Sequence, residues 1–223
     1  MIILLLWIVF TFIICIGVAI LAQKYGVEYA ISLVAVLAVL ANIFATKIVV
    51  LGPLTVPAGV IVFSLIFFIT DLISEKWGIK KARKAVWAGF LANLIFIITL
   101  YLVIFWPAAA YAQEFADKFS QVLALTPRII IASFIAYLIS QHHDIWLFAW
   151  FKKQTNGKHL WLRNNSSTII SQLIDSVIFI IIAFYGVFPV MPLILGQWTL
   201  KILIALLDTP FLYGALFLLR KIK

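Results

Sequence analysis

The sequence predicts an all-α membrane protein with about seven transmembrane helices. Of its 223 residues, 65% are apolar and only 11% are charged, and the mean hydropathy is +1.18. These values exclude an ordinary soluble protein. The long apolar runs do not alternate with polar residues, as the strands of a membrane β-barrel would, so they favour helices.

Seven apolar runs are long enough to be membrane spans. A hydrocarbon core of roughly 30 Å requires about 20 apolar residues in a helix. The runs cover about residues 2–22, 29–51, 55–75, 85–106, 128–150, 167–188 and 198–219, and they leave room only for short loops. The first run lacks a preceding basic residue and a small-x-small cleavage site, so we predict a retained helix rather than a signal peptide.

Basic residues cluster in four places that set the orientation. Thirteen of the 17 Lys and Arg residues are Lys24, the clusters within 76–84 and 152–163, and the residues at the end of the chain, 220–223. All four places fall on one side if seven spans alternate, and the positive-inside rule assigns that side to the cytoplasm. We therefore predict a multi-pass protein of the plasma (inner) membrane with its N-terminus outside and its C-terminus in the cytoplasm. The net charge of +9 then reflects topology and gives no reason to expect a nucleic-acid partner.

Four acidic residues interrupt the predicted spans. Asp175 and Asp208 each lie 12 positions from a cytoplasmic arginine, which at about 1.5 Å per residue places them roughly 18 Å deep, near mid-membrane. Asp144 and Asp71 lie closer to the cytoplasmic boundary. The same arithmetic places three cations near the outer boundary: Lys47, Arg128 and Lys201. A carboxylate at the bilayer centre costs at least about 2.5 kcal/mol, so such residues often line a ligand path, although pairing with cations only to join helices would also account for them.

The fifth and sixth spans share the pattern S-Q-x-x-D. Its two copies are Ser140-Gln141-x-x-Asp144 and Ser171-Gln172-x-x-Asp175. Within each copy the three side chains can share one helix face, because the Asp follows the Ser by four positions and the Gln by three. The two faces could line a polar pocket, or their Ser and Gln side chains could only join helices through hydrogen bonds. Asn42, Asn93 and Thr70 add hydrogen-bonding capacity within the spans.

Metal and enzyme chemistry find little support in the sequence. His142 and His143 are adjacent, so their side chains point about 100° apart on a helix and cannot easily share an ion. Cys15 is the sole cysteine, which excludes a multi-cysteine site. The common hydrolase, zinc-protease and phosphate-binding motifs do not occur. We expect no cofactor, no metal and no enzymatic activity, whereas a proton-relay role of the two histidines stays open.

Three segments occur in an order that resembles a known family. They are TDLISEKWG at 70–78, RIIIASFIAYLISQHHD at 128–144 and WLRNNSSTIISQLID at 161–175, followed by a late span with Lys201. The chain resembles the queuosine precursor transporter family, also called the vitamin uptake transporter family, over about residues 29–220. The matching motif positions are Asp71, Glu75, Arg128, Ser133, Gln141, Asp144, Arg163, Ser167, Gln172, Asp175 and Lys201. The resemblance implies import of 7-deazaguanine precursors of queuosine, such as preQ0 and preQ1, for salvage into tRNA modification.

The same resemblance implies a six-helix core similar to the substrate-binding subunits of vitamin transporters. We expect this transporter core at 29–223 and an extra N-terminal transmembrane helix with a short cytoplasmic turn at 1–28. The pocket is expected between the third, fifth, sixth and seventh spans, with Arg128 as a gate or orienting residue at its outer mouth. The expected substrate-binding residues are Asp175, Gln172, Gln141, Asp144, Asp71, Asp208, Lys201 and Arg128. Carboxylates suit a guanine-like heterocycle because they accept its N–H and amino donors, and Gln can satisfy its carbonyl.

Two other functions are compatible with the sequence. The chain could capture another vitamin-like heterocycle and rely on a separate ATP-driven module, because it has no phosphate-binding motif of its own. It could instead be a non-transporting membrane scaffold whose polar residues only join helices. The sequence leaves open whether an ATPase or protons energise import, and whether the chain forms oligomers.

Overall fold

The computed structural model of the chain is helical almost throughout. It describes residues 2–155 and 160–221, while some side chains in these ranges, including those of Gln141, Asp144 and Asp208, lie outside the description. The helices of the described chain are α1 (Ile2–Tyr25), α2 (Glu28–Phe44), α3 (Gly59–Trp77), α4 (Ile79–Phe105), α5 (Gln113–Leu123), α6 (Thr126–Gln154), α7 (Leu160–Phe184) and α8 (Val190–Lys221). The prediction of an all-α protein is therefore confirmed, and the long helices coincide with the seven apolar runs.

The helices have the composition of a membrane protein. Within the described residues, the stretches Ile79–Phe105 and Ala110–Ser140, the second of which takes in α5 and the first half of α6, are long and apolar enough to cross a bilayer. Shorter apolar helices cover Val9–Tyr25, Glu28–Phe44, Ile169–Phe184 and Val190–Leu206. One face of α4 repeats Leu91, Ile95, Ile98 and Leu102 at helical spacing, and each of these side chains is more than half exposed. A continuous exposed apolar face of this kind suits contact with lipid.

A short β-hairpin joins α2 to α3. Strand β1 (Ile48–Leu51) pairs antiparallel with β2 (Leu54–Pro57), from Ile48 opposite Pro57 to Leu51 opposite Leu54. Gly52 has φ +61° at the first position of the two-residue turn, a conformation that glycine adopts without strain. The expected boundaries of the second and third spans are therefore wrong here, because hydropathy alone cannot distinguish an apolar strand from a helix.

The connection between α4 and α6 also contains more structure than the sequence analysis assigned. A 3-10 turn at Ala110–Ala112 leads into α5, where Lys118 and Glu114 form an exposed ion pair at 2.5 Å. Phe115, Phe119 and Val122 recur at helical spacing and are also exposed. This helix is thus amphipathic, and it is too short to cross a bilayer.

Helix α3 lies at the centre of the bundle and packs against α1, α2, α4 and α8. Its side chains Ile61, Leu65, Ile69 and Leu72 are almost completely buried. Phe12 of α1 lies across this core, with its ring centroid 4.9 Å from that of Phe68 on α3 and 4.5 Å from that of Phe211 on α8. The first helix is therefore integrated into the hydrophobic core that α2, α3, α4 and α8 form.

Two glycines allow α2 to approach its neighbours closely. A Cβ atom at Gly59 of α3 would lie 2.0 Å from the carbonyl oxygen of Ala41, so only glycine fits at this crossing. A Cβ atom at Gly89 of α4 would lie 3.3 Å from the Cβ of Ala38, a tight contact. These crossings place Asn42, one residue beyond Ala41, between α3 and α4.

Candidate functional site

A buried ion pair joins α7 to α8. The ammonium group of Lys201 donates a hydrogen bond to Oδ2 of Asp175, and both side chains are about 5% exposed or less. Two opposite charges at such low exposure must be paired, because moving an isolated charge out of water costs far more free energy than moving a pair whose charges compensate each other. The pair therefore ties the sixth and seventh long helices together at a defined height.

Neighbouring side chains complete the surroundings of this pair. The Ser140 hydroxyl of α6 lies 3.3 Å from Oδ1 of Asp175 and 3.2 Å from the Tyr137 carbonyl oxygen, so its single proton can be donated to either acceptor. The Lys201 Nζ lies 5.4 Å from the ring centroid of Phe63 on α3, within the range of a cation–π interaction. Two further helices, α3 and α6, thus contact the charged pair that joins α7 to α8.

The ion pair forms part of the wall of a narrow cavity of about 20 Å³. Helices α3, α6, α7 and α8 contribute to this wall, together with α2 and the hairpin. The polar lining residues are Asn42, Ser133, Asp175, Gln197 and Lys201, and the apolar ones include Pro57, Phe63 and Phe179. An apolar cleft with a few convergent polar groups is the usual form of a small-molecule site.

A larger cavity of about 230 Å³ adjoins the first one and shares Asn42, Phe63 and Ser133 with it. It lies between α2, α3, α4 and α6, and its lining is mainly apolar. Its aromatic lining residues are Phe63, Phe67, Trp87, Phe90, Phe134 and Tyr137. Polar groups enter it from Thr70, Asn93 and the shared Asn42.

Comparison with known proteins assigns a family to this arrangement. A family described as "Putative vitamin uptake transporter" matches residues 57–215, which contain α3 to α7, most of α8 and the ion pair. A protein of Bacillus subtilis (strain 168) named "Probable queuosine precursor transporter" is 32% identical over 215 residues, covering 94% of this chain and 93% of its own. The chain belongs to this vitamin uptake transporter family. The sequence resemblance to it is thereby confirmed.

Other members of the family match over shorter lengths. The "Queuosine precursor transporter" of Escherichia coli (strain K12) is 26% identical over 167 residues, which are 71% of each chain. A "Probable queuosine precursor transporter" of Haemophilus influenzae is 30% identical over 127 residues, 57% of this chain and 51% of its own. No solved structure matches the chain.

Among the residues that the family resemblance singled out, Asp175 and Lys201 are brought into direct contact. Their contact places them at the same height in the bundle, whereas the sequence counts placed Lys201 near the outer boundary and Asp175 near mid-membrane, so the two counted depths are not compatible. Helix α8 has 32 residues and is about 48 Å long, more than a bilayer core of roughly 30 Å, so residue counts along it do not translate directly into depth.

Arg128 lies near the start of α6, away from the lining of both cavities. Its Nε donates to the carbonyl oxygen of Ile182 at 2.5 Å, and one terminal nitrogen donates to that of Tyr185 at 2.8 Å. These carbonyls belong to the C-terminal end of α7, where a helix leaves carbonyl groups without intrahelical partners. Arg128 thus caps α7, and this contact is a structural role that the sequence did not predict.

Of the other predicted site residues, the structure describes the side chains of Gln172 and Asp71. Gln172 lies one turn before Asp175, and its Oε1 is buried without a hydrogen-bond partner among the described residues, as is the neighbouring Ser171 hydroxyl. Asp71 is exposed on α3, directly after Thr70 of the larger cavity. The side chains of Gln141, Asp144 and Asp208 lie outside the described part of the chain.

Three cavity residues were missed as site residues by the sequence analysis. Gln197 is 2% exposed and precedes Lys201 by four positions on the same face of α8, a spacing that would have indicated it. Asn42 and Asn93 are 5% and 2% exposed and contact each other, although they are 51 positions apart in the sequence. A single sequence gives no signal for such a distant pair.

Proposed function

We propose that this chain imports 7-deazaguanine precursors of queuosine, such as preQ0 and preQ1, for salvage into tRNA modification. Membership of the vitamin uptake transporter family supports transport as the activity. The names of three relatives, the first of them matched over nearly the full length of both chains, support the substrate class. The structural observation that carries the proposal is the buried Asp175–Lys201 pair on the wall of a cavity inside a membrane helix bundle.

The proposed topology has seven spans, formed by the long helices α1 to α4 and α6 to α8 in the plasma membrane, with the N-terminus outside. Contacts between helix ends support it. Lys81 at the start of α4 lies 3.5 Å from Glu28 at the start of α2, and Lys76 near the end of α3 donates to the Leu219 carbonyl near the end of α8 at 3.3 Å. In the alternating arrangement all four of these ends are cytoplasmic. The Arg128 contact likewise joins two ends assigned to the outside.

In the proposed site, Asp175 accepts N–H or amino donors from the heterocycle while Lys201 keeps the carboxylate charged and compensated. The Gln197 amide can donate to its carbonyl, and Ser133, whose hydroxyl donates to the Ile130 carbonyl, can accept from a ring N–H. Gln172, with its unpartnered buried oxygen, is a second acceptor one turn away. Gln141, Asp144, Asp71 and Asp208 complete the proposed substrate-binding set, and Arg128 acts from the outer end through α7.

The test is salvage in bacterial cells that cannot make queuosine precursors and lack an importer of their own. Queuosine in tRNA is measured after feeding limiting preQ0 or preQ1. We expect the chain to restore queuosine, Asp175→Asn to abolish this, and Asp117→Asn, the same change on the exposed side of α5, to have no effect. Full uptake by Asp175→Asn at equal expression would remove the centre of the proposed site.

The double variant Asp175→Asn/Lys201→Met separates a binding defect from a folding defect, because it contains neither buried charge. We expect it to fold and to remain inactive. Uptake by the purified chain alone in liposomes would exclude the need for an ATP-driven module. Co-purification with an ATPase, together with inactivity alone, would favour the binding-subunit alternative.

A further inference from the structure

We propose that Asn42 and Asn93 form a second binding site, in the larger cavity, that recognises the amide-like edge of a flat heterocycle. This inference rests on the proposed import of 7-deazaguanines and adds a second place where the ring is held. The larger cavity has a volume of about 230 Å³, close to the lower end of small-molecule pockets, roughly 300–1,000 Å³. The smaller cavity offers about 20 Å³, and one carboxylate oxygen there is already paired with Lys201.

The hydrogen bonds of the two asparagines fix their orientation. Asn42 Nδ2 donates to the Ala38 carbonyl at 2.9 Å and to Asn93 Oδ1 at 3.0 Å, and Asn93 Nδ2 donates to the Gly89 carbonyl at 3.1 Å. Each Nδ2 atom therefore faces an acceptor, which distinguishes it from Oδ1. The close crossing of α2 and α4 at Gly89 allows this contact between helices.

Two hydrogen-bonding functions remain for a ligand. An asparagine side chain has two N–H donors and an acceptor oxygen. Asn42 uses both donors, and its Oδ1 accepts no hydrogen bond from the described residues. Asn93 uses its oxygen and one donor, so one N–H is left. Because both residues line the cavity, a ligand there can satisfy this acceptor and this donor.

An acceptor and a donor on two side chains that contact each other can complement a ring edge in which an N–H stands next to a carbonyl. The lactam edge of a 7-deazaguanine has this form: its ring N–H would donate to Asn42 Oδ1, and its carbonyl would accept from Asn93 Nδ2. Aromatic side chains flank the same space. Phe67 and Tyr137 lie 6.3 Å apart between α3 and α6, and Phe90 and Phe134 lie 4.6 Å apart between α4 and α6. Such rings can stack on a flat heterocycle.

The experiment measures the affinity of the purified full chain for 7-deazaguanine and for its derivative methylated on the lactam nitrogen. The methyl group removes the donor without removing the ring. We expect the normal chain to prefer the unmethylated compound at least tenfold, and Asn42→Ser and Asn93→Ser to reduce this preference to nearly one. Thr99→Val is the control, because Thr99 is an exposed polar residue of α4 whose hydroxyl bonds only its own helix.

The ratio of the two affinities reports recognition of the lactam edge, since a merely destabilised bundle would lower the affinity for both compounds equally. Val86→Trp adds bulk to a residue that lines the larger cavity and not the smaller one, and it should lower the affinity for both compounds at least tenfold. No preference in the normal chain, or a preference that survives both Asn variants, would overturn this site. If the chain still salvages queuosine precursors in that case, the proposed function stands without the second site. If salvage and all binding fail, both the second site and the proposed function are wrong.

Discussion

Asp175 on α7 and Lys201 on α8 form an ion pair in which neither side chain is more than 5% exposed. Ser140 reaches the second carboxylate oxygen from α6, so three helices meet at one charged group. Each charge is tolerated at this depth only because the other is present. Any variant that changes one partner therefore tests both the stability of the bundle and the chemistry of the cavity.

Removing one charge of the pair should destabilise the protein strongly. We expect Lys201→Met to lower the free energy of unfolding by about 3–5 kcal/mol, because it leaves a buried carboxylate without its counter-charge. Asp175→Asn/Lys201→Met should recover most of this loss, since Asn can still accept from Ser140. Thermal unfolding of the detergent-purified variants measures both effects. Equal losses in the single and double variants would show that the pair is not energetically coupled.

Charge removal should also change which precursor is preferred. In Lys201→Met, Asp175 is an uncompensated carboxylate and will attract a cationic ligand more strongly. We expect the preference for preQ1, whose aminomethyl group is protonated, over the neutral preQ0 to rise about tenfold, equivalent to about 1.4 kcal/mol. Competition between the two compounds in an uptake assay measures this ratio. An unchanged ratio would place the substituent away from Asp175.

Arg128 offers a test between a structural and a gating role. Its two hydrogen bonds to carbonyls at the end of α7 are charge-assisted, and Arg128→Met should cost about 1.5–3 kcal/mol of stability for each bond lost. The stability of Arg128→Lys should lie between that of the normal chain and that of Arg128→Met, because lysine keeps the charge but lacks the planar fork. If Arg128 only caps α7, uptake by these variants should fall only in proportion to the amount of folded protein. A lower uptake per folded molecule would instead support the gate inferred from the sequence.

The sequence was sufficient for the long helices, and it singled out Asp175, which the structure places in a buried ion pair, because a carboxylate within an apolar run is rare. It was insufficient for the partner of Asp175, since the tilt and length of α8 decide which of its turns faces α7. The hairpin at Ile48–Pro57 was missed although Gly52-Pro53 between β-branched residues indicates a turn. The Asn42–Asn93 contact depends on a helix crossing, which local pattern cannot predict.

The hairpin is expected to be essential for the shape of the smaller cavity, because Pro57 lines it and β2 packs on α8. A Cβ atom at Gly196 would lie 2.2 Å from the Thr55 carbonyl oxygen, so Gly196→Ala must displace either the strand or the helix turn before Gln197. We expect a loss of about 1–3 kcal/mol of stability, typical of overpacking, together with weaker uptake. Gly17→Ala is the matched control: no atom lies within 4 Å of its added Cβ, and helix propensity predicts unchanged or slightly higher stability. If the two variants unfold at the same temperature and transport equally, the hairpin is not held against α8 as described.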